Sequence, residues 1–170
     1  QLAYVDLGGI VPGPESKECI SIKDASSIFF RTHDEQKIME KISMTKTAMY
    51  VLKKLAESER FRNATLGGYV NDISLKEQSQ FSVVCIYLSD KSLFVAFSGT
   101  DDTIVGWREN FNMGYLSATP GQKKAVAYLN HMVGIGQWKV RVGGHSKGGN
   151  LAVYGSVHCK ASIKRKIISV

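Results

Sequence analysis

With 170 residues, 44% of them hydrophobic and 22% charged, the chain has the composition of a globular protein and length enough for one core, so a single domain is expected. No apolar run is long enough to span a membrane and no N-terminal signal pattern is present. The expectation is therefore a cytoplasmic protein without a transmembrane segment, although a start at Gln1 rather than methionine suggests an incomplete N-terminus. The net charge of +7 is confined to one end: residues 1–138 carry 15 basic and 15 acidic residues, and residues 139–170 carry seven basic and no acidic ones. That excess, with its Lys164-Arg165-Lys166 cluster, reads as solvated residues between a helix and the next strand, whose acidic partners are absent from the chain. No nucleic-acid partner is expected.

In chain order, Tyr4-Val5-Asp6-Leu7 reads as a short strand, closed by Gly8-Gly9 and Pro12-Gly13-Pro14. Ser21 to Phe30 suits a short helix. Met44, Ala48, Val51, Leu52, Leu55 and Ala56 recur at helical spacing and predict an amphipathic helix from Ser43 to Glu57. Ser43-Met44-Thr45-Lys46 opens it with an S-x-x-K pattern that can pair a serine nucleophile with lysine. The accompanying S-D-N and K-T-G segments are absent, so Ser43 is read as the helix N-cap. Phe81–Leu88 and Leu93–Phe97 are β-type runs joined by Ser89-Asp90-Lys91-Ser92, which predicts a hairpin. Ala125, Val126, Leu129, Met132 and Val133 mark another amphipathic helix, closed by Gly134. Cys19, Cys85 and Cys159 form no C-x-x-C pair and the four histidines no ligand spacing, so neither a disulfide framework nor a metal site is expected; Cys85 reads as a buried small hydrophobe.

The most informative run is Val142 to Ala152. It contains G-x-S-x-G as Gly144-His145-Ser146-Lys147-Gly148, after the alternating Lys139-Val140-Arg141-Val142 and before the largely apolar stretch from Asn150 to Val157. A serine on a sharp strand-to-helix turn leaves its Oγ exposed, and Gly144 and Gly148 relieve the backbone crowding beneath it. The helix N-terminus directs N–H groups toward an oxyanion formed there. The competing interpretations are a glycine-rich turn with a structural serine, and a phosphate loop. The latter is excluded because serine precedes lysine.

The segment Phe97-Ser98-Gly99-Thr100-Asp101-Asp102 comes directly after the second hairpin strand, where an α/β hydrolase often supplies an oxyanion donor. Thr100 and the Lys147 backbone N–H are the candidate donors. The plainer alternative is a polar turn in which Asp101 and Asp102 cap the next element of the chain. His145 is read as a packing or hydrogen-bonding residue, and Lys147 as contributing through its backbone alone. His158, the only histidine after Ser146, lies twelve residues on, or about 18 Å along a helix, and no Asp or Glu occurs after Ser146. Lys166 to Val170 reads as the next core strand, cut off as it begins. The expectation is the N-terminal portion of a larger hydrolase with its triad acid and histidine beyond these residues.

These two segments resemble the class 3 lipases, α/β hydrolases whose elbow reads G-H-S-x-G-G and whose upstream R-G-T or R-G-S loop supplies an oxyanion donor. The chain is similar in more detail to a bacterial family of lipase-like proteins with F-R-G-T-D-D-T-x-x-G-W, F-N-M and G-H-S-K-G-G-N-L-A segments. The corresponding stretches here are Phe97 to Trp107, Phe111-Asn112-Met113, and Gly144 to Ala152. Ser98 stands where that motif has arginine, and Asn110 where aspartate is expected. The resemblance implies an α/β-hydrolase-like fold with a mainly parallel sheet, Ser146 as nucleophile, and Thr100 and Lys147 as oxyanion donors. It further implies a small ester or lipid substrate, with no cofactor and no metal. The alternative is a catalytically inactive, hydrolase-derived binding or scaffold protein.

Overall fold

The computed structural model describes residues 1–40 and 42–170. Six strands form one sheet in sequential order: β1 (Ile20–Ser21), β2 (Thr65–Ser74), β3 (Ser79–Tyr87), β4 (Ser92–Phe97), β5 (Lys139–Gly144) and β6 (Ile167–Ser169). The expected hairpin is present as β3 and β4, and β5 lies between β4 and β6. The expectation of a mainly parallel sheet is corrected. Three of the five pairings, β1 to β4, are antiparallel, and only β4–β5 and β5–β6 are parallel. Short connections permit only antiparallel pairing, and β2 meets β3 through residues 75–78. The sequence disguised β2 because Gly67-Gly68 and Asn71-Asp72 interrupt its apolar pattern. At the glycines the register shifts, with Gly68 at φ +61°, as in a bulge.

The helices are α1 (Ile22–Thr32), α2 (Glu35–Glu40), α3 (Ala48–Glu57), α4 (Ile104–Asn112), α5 (Pro120–Met132), α6 (Lys147–His158) and α7 (Ala161–Lys164). The expected strand at Tyr4–Leu7 is instead a 3-10 turn over Leu2–Tyr4. The helix expected from Ser43 begins at Ala48, with Thr47 at the N-cap. Ser43 Oγ is engaged four residues earlier, accepting the Thr45 N–H at 3.1 Å. Among the described residues no helix is long and apolar enough to cross a membrane.

Strand β3 shows why both faces of the sheet are covered. Phe81, Val83 and Cys85 point to one side, against Ala125, Leu129 and Met132 of α5 and Leu151 and Ala152 of α6. Val84 points to the other, toward Leu2, Leu7, Ile22, Phe29 and Leu52 from the N-terminal segment, α1 and α3. Alternation with period two distributes these side chains, and burial on both faces makes the strand nearly continuously apolar. Each fully buried aliphatic side chain contributes about 1.5–3 kcal/mol.

The parallel part of the sheet positions the site. Phe97 pairs with Gly144, so the carboxyl ends of β4 and β5 lie side by side. The segments that leave them, 98–103 and 145–146, therefore emerge together.

Candidate active site

Ser146 occupies the turn between β5 and α6 at φ +57°, ψ −124°. Such a backbone conformation costs a non-glycine residue about 1–3 kcal/mol. It also changes what the side chain does. Ser21, Thr103 and Thr119 stand at the N-caps of α1, α4 and α5, and each hydroxyl accepts a backbone N–H of the first turn. Ser146 stands at the N-cap of α6 and makes no such bond; its residue is exposed. The turn closes through backbone alone, with Gly148 N–H donating to His145 O and Gly149 N–H to Ser146 O, both at 2.9 Å. Gly144 and Gly148 are in contact beneath it: a Cβ on Gly144 would lie 2.8 Å from the Gly148 Cα.

The Ser98–Thr103 segment is pressed against this turn. A Cβ on Gly148 would lie 2.8 Å from the Ser98 carbonyl carbon, and one on Gly99 would lie 2.5 Å from His145 O, so side chains at these glycines would drive the two segments apart. Ser98 N–H anchors the segment to β3 through Ser82 O at 2.8 Å. Asp101 accepts from Thr103 N–H at 2.9 Å, Thr103 caps α4, and Asp102 accepts from Met44 N–H at 3.1 Å. The aspartates therefore hold the turn, but neither caps the next element as the plainer sequence reading has it; Thr103 is the cap of α4. Between them and the elbow, Thr100 Oγ1 is buried without a hydrogen-bond partner. A cavity of about 290 Å³ is lined by Thr100, Ser146, His145, Tyr4, Trp107 and Asn110, among others. Among the described residues, neither Thr100 N–H nor Lys147 N–H has an acceptor.

The side chain of Lys147 departs from the sequence reading. It is not one of the solvated basic residues, and its role is not confined to the backbone. Its Nζ is fully buried and donates to Gln80 O (2.6 Å), Gln80 Oε1 (2.5 Å) and Glu109 Oε2 (3.0 Å). Glu109 is equally buried. It also accepts Gln80 N–H at 3.0 Å and Gly121 N–H, in the first turn of α5, at 2.7 Å. Burial lowers the Lys147 pKa below the usual lysine range, and the adjacent Glu109 carboxylate only partly offsets it. Arg141 likewise has an acidic partner, Asp90, at 3.4 Å. The expectation that this basic stretch has no acidic partners in the chain is corrected for Lys147 and Arg141, whose partners lie earlier in the sequence.

Several candidates are not brought together. His158 ends α6 and stacks on Tyr154, with ring centroids 4.2 Å apart, at the opposite end from Ser146. Lys46 donates to Met39 O at 3.1 Å, and neither it nor Ser43 reaches the elbow cavity. Three residues that sequence reasoning passed over border the site. Tyr4 places its hydroxyl 3.3 Å from His145 Nδ1, across 141 positions of sequence, and no local pattern announces that contact. Gln80 and Glu109 had one signal available: a lysine drawn into a helix start needs a buried acceptor somewhere.

The Mbeg1-like family model matches residues 55–170, and the chain belongs to the Mbeg1-like family. No curated protein and no solved structure matches it.

Proposed function

We propose that this protein is a serine hydrolase of the α/β-hydrolase kind, cleaving carboxylic esters, acyl lipids among them, through an acyl-enzyme on Ser146. The observation that carries the reading is the backbone at the elbow: among the Ser and Thr N-caps of the described helices, Thr47 and Ser146 make no cap hydrogen bond, and only Ser146 is held at positive φ, exposed and with its Oγ free. In the proposed reaction Oγ attacks the ester carbonyl carbon and its proton passes to a base. The carbonyl electron pair moves onto oxygen, and collapse of the tetrahedral adduct expels the alcohol as the base returns the proton to it. Water then hydrolyses the acyl-enzyme to release the acid and restore the serine. The unpaired N–H groups of Thr100 and Lys147 and the unpaired Thr100 hydroxyl supply donors for the oxyanion. Unpaired, well-separated cysteines favour a reducing compartment, the cytoplasm.

The alternative is a hydrolase-derived binding or scaffold protein in which Ser146 is not a nucleophile. His158, at the far end of α6 from Ser146, is its base in neither reading. Covalent labelling with a fluorophosphonate, together with hydrolysis of a short-chain ester, tests both readings. The hydrolase reading expects labelling that Ser146→Ala abolishes. Residual ester turnover of about 10³–10⁴ over water is expected even without a complete triad. Absence of labelling, or labelling that persists in Ser146→Ala, supports the scaffold.

A further inference from the structure

The buried Lys147–Glu109–Gln80 cluster begins at the residue after Ser146 and lies across Gly106 from Thr100, yet no step of the proposed reaction uses its side chains. We propose that Glu109 and Gln80, acting through the Lys147 ammonium, are positioning residues that aim the Lys147 backbone N–H and the Thr100 segment into the Ser146 cavity; this rests on the nucleophile reading above.

Three observations converge on this role. First, Lys147 immediately succeeds a residue held at φ +57°, so the peptide plane carrying its N–H lies at a strained position that backbone hydrogen bonds fix from one side only. Three acceptors on Nζ, contributed by β3 and α4, fix the Lys147 Cα–Cβ direction and with it that plane. Second, the acceptors are themselves fixed. Both Glu109 oxygens are occupied, by Gln80 N–H and by Gly121 N–H, so β3, α4, α5 and α6 meet at one carboxylate. Third, the cluster faces the other segment. A Cβ on Gly106 would lie 3.3 Å from both Gln80 Oε1 and Thr100 Cγ2, so Gln80 and Thr100 face one another across that glycine.

The choice of a charged cluster points the same way. Apolar packing fills space without direction, whereas hydrogen bonds in a dry interior set direction. A buried ion pair is weak evidence for stability, because well-packed apolar residues of similar volume often do as well or better. Its presence beside the strained serine turn therefore calls for geometry rather than stability as the reason.

The test separates those two reasons. In the 170-residue protein, the rate constant for phosphonylation by a fluorophosphonate and the probe's reversible affinity are measured for wild type, Glu109→Gln and the double variant Glu109→Leu/Lys147→Met. Urea unfolding of each is recorded alongside. Positioning predicts that the double variant folds with near wild-type stability yet phosphonylates about 10²–10³-fold more slowly, the loss typical of a missing oxyanion donor. Reversible affinity should change little. A folded double variant that reacts at the wild-type rate overturns the inference and leaves the nucleophile reading standing. Should the double variant not fold, Glu109→Gln keeps the side-chain volume and one acceptor oxygen. A slowed Glu109→Gln with reversible affinity retained supports the inference, and an unchanged rate overturns it. A wild-type protein with no Ser146-dependent labelling overturns both readings together.

Discussion

The part of the chain matched by the Mbeg1-like family, residues 55–170, and the 54 residues before it divide the labour of the fold unequally. The matched part carries β2 to β6, the helices on one face of the sheet, and Ser146, Thr100, Lys147, Glu109 and Gln80. The earlier part supplies β1, α1, α2 and most of α3, and so the apolar layer on the other face. It also sends Tyr4 into the candidate site, where its hydroxyl meets His145 Nδ1. The difference is instructive. The candidate nucleophile Ser146 and the candidate donor Thr100 lie on turns of the matched part, while the earlier part holds the back of the sheet and borders the cavity through Gln1, Tyr4, Met44 and Thr45.

If the matched part depends on its buried cluster, the largest expected effect comes from breaking it. Glu109→Ala leaves the Lys147 ammonium buried without its partner and should cost about 3–5 kcal/mol, read as a lowered urea midpoint. A cost under about 1 kcal/mol would mean that water reaches Nζ. Leu52→Ala probes the other part: Leu52 is fully buried on α3, and its truncation should cost about 2–5 kcal/mol. Both tryptophans, Trp107 and Trp138, lie in the matched part. Their fluorescence transition should therefore shift with Leu52→Ala if the two layers unfold as one unit. A transition that stays in place would break the comparison, because the matched part would then be independent of the layer that precedes it.

How far the sequence disclosed this molecule depends on the range of each interaction. The β3–β4 hairpin, α5, β5 and the elbow were legible because local alternation, helical spacing and a short glycine pattern specify them within a few residues. The 3-10 turn at Leu2–Tyr4 was mistaken for a strand because four residues of mixed pattern carry no period. Strand β2 and helix α4 were missed: glycines and a bulge conceal the first, and the second exposes Ile104, Trp107 and Phe111 while burying Glu109, inverting the usual amphipathic signal. In the site, the positions of Ser146, Gly144 and Gly148 could be read from spacing. The inward turn of Lys147 could not, because its acceptors lie 38 and 67 residues away in sequence.

A pH titration sharpens the comparison, because buried acids lie on both sides of the sheet. Burial pushes the Cys85 thiol up to about 12 from 9.0, the Tyr69 phenol up to about 12 from 10.0, and Tyr128 well above 10.0. These groups stay protonated in the fold while the unfolded chain ionises. The stability they contribute is complete below about pH 9 and is lost as pH rises toward 12. Lys147 has the opposite sign. Its lowered pKa means that the unfolded chain holds the extra proton, so its contribution grows with pH until about its ordinary 10.5. Burial also raises Tyr4, Cys19, Tyr87 and Cys159, so the acids outweigh the one lowered lysine and the urea midpoint should fall between pH 9 and 12. Tyr69→Phe should flatten part of that fall. A midpoint level across the range would mean that the buried acids are open to solvent.

The smallest effect belongs to the contact that Tyr4, in the earlier part, makes with His145. Tyr4 is half-buried, and burial raises its pKa even though the Gly99 N–H favours the ionised form. Tyr4→Phe removes the hydroxyl and with it the His145 contact, while the ring that lines the cavity remains. A part-exposed neutral hydrogen bond contributes about 0.5–1.5 kcal/mol, so the urea midpoint should fall slightly. Fluorophosphonate labelling should slow far less than in Glu109→Gln, since the Gly99 backbone still packs against His145 O without the phenol. Should Tyr4→Phe instead abolish labelling while the protein stays folded, the hydroxyl takes part in the reaction itself. The division between a reactive part and a supporting part would then have to be redrawn with Tyr4 among the reacting groups.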